Sequence, residues 1–188
     1  TLRNILRSAI AFFILVLSFT TYANFINDPY KYPSAPGLKN AYGFYNVREF
    51  RLNNRVIPYS TTDQDRWQDV VFEKWATASI KIARPIKIDR STGDEYHKAD
   101  LDRDFESAGV GGRHYYAYSA DTITKSLVLI NKNKNHRGEL FDLHYSIPND
   151  STIIVQGVNE KKDTVYAVLD RVNRKYLLIE GRRKRVKL

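Results

Sequence analysis

Between Arg7 and Asp28 the chain carries no charged residue, and residues 10–19 (Ile-Ala-Phe-Phe-Ile-Leu-Val-Leu-Ser-Phe) are apolar but for one serine. An uncharged run of about 20 residues is the length that crosses a bilayer as a helix. The run is apolar all round and lacks the polar face of a helix lying on a soluble core. Arg3 and Arg7 precede it, whereas Lys31 is the only close positive charge beyond it, so the N-terminal end is expected on the cytoplasmic side. Tyr22 and Phe25 then fall near the opposite interface. A secretory signal peptide is the competing reading, with Arg3 and Arg7 as its basic region, residues 8–19 as its apolar region and Thr21-Tyr22-Ala23 as a cleavage site. Either reading places the remaining chain outside the cytoplasm.

The 188 residues, 43% of them hydrophobic, suffice for one domain with a core of its own. There is no cysteine, which excludes disulfides, thiolate metal sites, iron–sulfur clusters and thiol nucleophiles. There is no methionine either, so Thr1 is read as an internal position of a longer protein. The net charge of +9 favours anionic partners such as lipid head groups.

Pro29, Pro33, Pro36 and Gly37 break any helix and mark residues 28–41 as an extended linker. Beyond it come short segments rich in Val, Ile, Tyr and Phe, each closed by turn residues, as in an all-β antiparallel meander. The expected strands are 44–52, 67–75, 79–83, 114–119, 126–131, 139–147, 152–158, 164–171 and 176–180, with Thr62-Asp63 capping a turn before Trp67. Val165, Ala167 and Leu169 share one face of their strand, opposite Tyr166 and Val168, so this strand is apolar on both sides. A curled sheet or a small, lipocalin-like barrel uses such a strand. The expected layout is a transmembrane helix (1–27), a linker (28–41), a β domain (42–181) and a basic tail (182–188).

Particular residues add a resemblance. The run Tyr42-Gly43-Phe44-Tyr45-Asn46-Val47-Arg48-Glu49-Phe50, then Leu52-Asn53-Asn54, Pro58, Thr62-Asp63, Arg66-Trp67 and Val70-Val71-Phe72, resembles the C-terminal extension of DoxX-like membrane proteins of Bacteroidetes-type bacteria. Residues 116–130, Leu143-His144-Tyr145, residues 152–157, residues 165–172 and Tyr176-Leu177-Leu178 resemble its later strands. The resemblance implies a retained last membrane helix followed by a β domain, in a bacterial inner membrane with the β domain periplasmic. The chain departs from the pattern in its long segment 89–112 and its basic end. The quinone or thiol redox chemistry linked with the wider group belongs to membrane helices that precede this chain, and is not carried onto its residues.

No constellation announces a reaction. Asp100, Asp102 and Asp104 have the alternate spacing of a calcium loop, but Phe105 stands where the turn needs glycine and Gly111 where a bidentate glutamate belongs. His97, His114, His136 and His144 show no metal-ligand spacing, although His114 and His144 both fall in expected strands. No nucleophile-elbow serine is present, and Gly-Val-Gly-Gly at 109–112 lacks the strand-to-helix setting of a dinucleotide site. Arg113, His114, Tyr116 and Tyr118, with His144, form the candidate ligand-binding set: an aromatic and cationic strand surface whose blander reading is ordinary sheet packing. Trp67 and Trp75 read as core anchors. The tail Arg182-Arg183-Lys184-Arg185 with Lys187 suits anionic lipid, but reads first as a solvated terminus.

The expectation is therefore a membrane-anchored, non-catalytic accessory domain without catalytic residue, metal or cofactor. Its partners are the bilayer and either upstream membrane helices or another membrane protein, not nucleic acid. A lipocalin-like barrel holding a small apolar ligand, and an accessory part of a quinone or thiol redox system, are the alternatives.

Overall fold

The computed structural model describes residues 2–27, 35–87 and 112–172. The calcium-like aspartates, His97, Gly109 to Gly111, the strand expected at 176–180 and the basic tail lie outside the described residues. The apolar run is a single helix, α1 (Leu2–Asn27). Its stretch Leu2–Asn24 is long and apolar enough to cross a membrane, and none of its most apolar part is buried against the rest of the protein.

The β domain is a closed antiparallel barrel. Its strands are β1 (Gly43–Leu52), β2 (Arg55–Val56), β3 (Asp69–Phe72), β4 (Thr77–Lys81), β5 (Arg113–Asp121), β6 (Ser126–Asn131), β7 (Leu140–Asn149), β8 (Thr152–Asn159) and β9 (Thr164–Arg171). Each pairs with its neighbour, and β1 returns to pair β9, so eight strands close the ring while β2 extends β1 as a short hairpin. Closure removes the unpaired sheet edge that an open meander would present. The closing seam runs from Tyr45↔Arg171 to Leu52↔Val165 and shifts between Val47 and Glu49.

An extra residue, Arg48, makes that shift a bulge, and a buried arginine braces it. Arg66 donates to the carbonyl oxygens of Val47 at 2.9 Å, Ile57 at 3.1 Å and Trp67, and its guanidinium lies 5.5 Å from the Phe50 ring. The turn leading to it is built by Asp63, whose carboxylate accepts from the backbone N–H of Asp65 and Arg66. Gln68 O accepts from Val47 N and carries the pairing past the bulge.

Alternation decides what fills the ring. Tyr45 and Val47, Val70 and Phe72, Ala78 and Ile80, Tyr116 and Tyr118, Leu127 and Leu129, Phe141, Leu143 and Tyr145, Ile153 and Val155, and Val165, Ala167 and Leu169 point inward and are buried. Val168, on the outer face of β9, is buried too. Aromatic rings thread the interior: Phe50, Trp67, Phe141 and Tyr116 follow one another at centroid spacings of 5.2–5.6 Å, and Tyr45, Phe72 and Tyr118 at 5.8–6.0 Å. An eight-stranded barrel is just wide enough for its side chains to fill it, and this one is filled. At Gly157 the strands approach so closely that a Cβ would collide with the Asp142 carbonyl oxygen and stand 2.7 Å from Leu143 Cα.

The two ends differ. At the end where the chain enters from α1, residues 35–42 lie across the opening: Pro36 bridges to Trp75, and Leu38 and Ala41 are buried. Leu38 N donates to the Tyr118 hydroxyl at 2.7 Å, and the Tyr45 hydroxyl donates to Ala41 O at 2.8 Å. The far end is closed by polar side chains instead.

Candidate functional site

The inward alternation of three strands runs out of apolar residues at the far end. On β5 it goes Tyr118, Tyr116, His114; on β6, Leu127, Leu129, Asn131; and β7, read back through Leu143 and Phe141, reaches Glu139. The loop 132–139 folds back through asparagine-capped turns: Asn131 Oδ1 accepts from Asn133 N, Asn133 Oδ1 from Asn135 N, and a short 3-10 turn follows at Lys134–His136. Those turns bring His136 and Glu139 over the end of the core, with the His114 and His136 rings 5.5 Å apart.

Glu139 is the centre. Its Oε2 accepts from Asn131 Nδ2 at 2.7 Å, from the Tyr116 hydroxyl at 3.1 Å and from His114 Nδ1 at 3.1 Å. Its Oε1 accepts from Arg84 at 3.2 Å and His136 Nδ1 at 3.1 Å. Arg84 also faces Asp65 at 3.8 Å. Burial raises the carboxyl pKa, but the hydrogen bond and charge of His114, the Asn131 amide and the Arg84 charge outweigh it and hold it at about 2. Burial, with the adjacent Glu139 charge, pushes the Tyr116 hydroxyl well above its ordinary value, so it remains a donor.

Five donors on two oxygens occupy every lone pair the carboxylate has. A carboxylate so satisfied and so acidic is not a proton acceptor at neutral pH. The imidazoles are similarly committed: with Nδ1–H given to Glu139, His136 Nε2 accepts from Lys87 N at 3.2 Å. His114 Nε2 is buried and has no hydrogen-bond partner among the described residues. An imidazole oriented by a carboxylate resembles the base of a hydrolytic triad, but this nitrogen is sealed from solvent and no serine of the described network faces it. Among the described residues, no cluster of three or more histidines and carboxylates is placed to hold a metal ion. The hollow beside the network, between Asp65, Arg84, Glu139, Trp67 and Lys161, measures about 60 Å³, room for a water or two.

The sequence-derived candidates separate into different places. His114 and Tyr116 enter the Glu139 network. Tyr118 points inward at the opposite end and holds residues 35–42. Arg113 lies on the outer wall, where it donates to Ser79 Oγ at 2.9 Å and to Asp69. His144 is exposed on the outer face of β7, so it does not meet His114; it borders an open groove of about 560 Å³ with Arg51, Gln156 and Tyr166. Sequence reasoning left out Glu139, Asn131 and Arg84. Alternation held the clue for the first two, since Glu139 shares the parity of Phe141 and Leu143, and Asn131 that of Leu127 and Leu129. Arg84 follows the last residue of its strand by three positions, where periodicity no longer speaks. No protein-family profile, curated protein or solved structure matches this chain, so its site is read from its own geometry.

Proposed function

We propose that this chain is a membrane-anchored, non-catalytic accessory domain: a barrel held at the bilayer by α1 that acts through its surface on other membrane components. The observation that carries this reading is a bare apolar helix beside a complete core. Twelve large apolar or aromatic side chains between Leu2 and Tyr22 are exposed, and at about 1.5–3 kcal/mol for each left in water the cost is on the order of 20 kcal/mol. The barrel offers them no face. A bilayer does, and Arg3 and Arg7 at the N-terminal end of α1 support a barrel on the extracytoplasmic, periplasmic side.

The saturation of Glu139 argues against this carboxylate as a catalytic base, because a fully bonded carboxylate has nothing left to give a substrate. The filled interior weighs against a lipocalin-like ligand inside the barrel; a ligand of this protein has the outer groove beside His144 as its site. The order of one apolar helix and then a β domain supports our further reading of the chain as the C-terminal part of a DoxX-like inner-membrane protein, whose partners are its own membrane helices or a neighbouring membrane protein. The test is expression of the full chain, alkaline extraction of the membranes and the mass of the product. A full-mass product that stays with the membranes is expected. A shortened, soluble product marks α1 as a cleaved signal and overturns the anchor.

A further inference from the structure

We infer that the entry end of the barrel is a lipid-facing surface, which seats the hairpin tip between β5 and β6 in the head-group region of the bilayer. This inference rests on α1 being a retained anchor. Asn27 ends α1 and Ala35 already sits at the entry end, its carbonyl accepting from Ala76 N. Eight residue steps of chain reach at most roughly 28 Å, so this end is tethered close to the point where α1 leaves the bilayer. The far end, with its Glu139 network, lies a strand's length from the entry end.

The exposed chemistry of the entry end fits an interface. Ile123 is 90% exposed at the tip of the β5–β6 hairpin. Its display is built in: the Asp121 carboxylate accepts from the backbone N–H of Ile123 at 2.7 Å and Thr124 at 3.2 Å, and Lys125 takes a positive φ to close the turn. A lone exposed isoleucine on a soluble surface needs no explanation. This one shares its end with exposed Tyr42, whose ring lies 5.4 Å from the Lys74 ammonium, and with exposed Lys39 and Lys125. Aromatic rings and long lysine stems are the side chains that settle at the head-group level, ring in the interface and ammonium among phosphates. Glu73, Asp121, Asp150 and Asp170 stand at the same end and offset the charge of Lys39, Lys74 and Lys125, with Asp170 paired to Arg48 at 3.3 Å. Apolar insertion of Ile123 is therefore the larger contribution, and the lysines orient it.

The absence of cysteine allows single-site labelling of the full chain. Ser18→Cys, Ile123→Cys and Lys161→Cys variants, the last at the far-end hairpin, would each carry the same environment-sensitive fluorophore. They would be reconstituted into vesicles of phosphatidylethanolamine and phosphatidylglycerol containing spin-labelled lipid. Position 18 is expected to be quenched by lipid labelled deep in the acyl chain. Position 123 is expected to be quenched several-fold more than position 161 by lipid labelled near the head group. Comparing two exposed hairpin tips with one label cancels the fluorophore's own affinity for lipid. Quenching at 18 with equal, weak quenching at 123 and 161, or stronger quenching at 161, overturns the lipid-facing end and leaves the anchor standing. No quenching at 18 removes the anchor and this inference with it.

Discussion

Glu139 is one residue on which the far end depends, and its ionisation gives that dependence a pH signature. The carboxyl titrates at about 2 in the folded protein against an ordinary 4.5, so the folded state prefers the ionised form. The stabilisation is complete above about pH 4.5 and is lost as pH falls towards 2. Glu139→Gln keeps the shape and removes the charge, leaving Arg84 only the more distant carboxylate of Asp65 at 3.8 Å. Urea unfolding across pH should show the variant less stable by about 3 kcal/mol at neutral pH, with a flattened acid limb and convergence with the parent near pH 2. Parallel curves at all pH values would contradict the network. Gly157→Ala tests a different constraint, one of space. The added methyl meets backbone atoms of Asp142 and Leu143, which cannot move without parting β7 from β8, so a loss of at least about 3 kcal/mol, or failure to fold, is expected in thermal denaturation.

Among the elements, β1 carries the closure of the ring, and its bulge depends on Arg66. Burial lowers the guanidinium pKa, with Asp63 opposing, yet three carbonyl acceptors hold the group in place. A lysine has a single ammonium and cannot span them. Arg66→Lys should therefore cost about 2 kcal/mol by chemical denaturation, with the β1–β9 amides losing hydrogen-exchange protection before those of β7 and β8. Most of the barrel's strands were legible because alternation and turn residues are local properties: 126–131 and 164–171 match β6 and β9, and the apolar outer face of β9 was visible in Val168. The expected strand 67–75 shortens to Asp69–Phe72 because Arg66 and Trp67 serve the bulge and the core instead of the ladder. The hairpin partner β2 was missed, since two exposed residues carry no periodicity. The β7–β8 connection sits at Asp150 and Ser151, with Pro148 and Asn149 still within β7, because a register shift after Ser146 absorbs the proline. The Glu139 network was hidden for another reason: it joins residues from β5, β6 and the two loops after β4 and β6, and the folding of those loops over the strand ends, which periodicity does not report, brings them together.

For the molecule as a whole, the barrel buries its own core while α1 buries none of its most apolar part, and this division predicts where the chain can be cut. None of the most apolar part of α1 is buried, so removing it takes nothing from the barrel core. Residues 35–42 are another matter. Leu38 is 8% exposed and Ala41 fully buried, and the backbone of this segment partners the buried Tyr118 and Tyr45 hydroxyls. A chain beginning at Ala35 should therefore unfold at the same denaturant midpoint as the full chain held in detergent. A chain beginning at Gly43 exposes the rings of Tyr45, Phe72 and Tyr118 and removes the Leu38 donor of the Tyr118 hydroxyl and the Ala41 acceptor of the Tyr45 hydroxyl, which keeps Arg171. Lost burial of Leu38 alone is worth about 1.5–3 kcal/mol, and each uncompensated polar group adds about 1 kcal/mol or more. A loss of roughly 3–5 kcal/mol is expected, read as a lower midpoint with an unchanged slope. Equal midpoints for the two truncations would mean that the entry segment merely rests on the barrel. An unstable chain beginning at Ala35 would mean instead that α1 contributes to the fold, and the separation of anchor from domain would have to be abandoned.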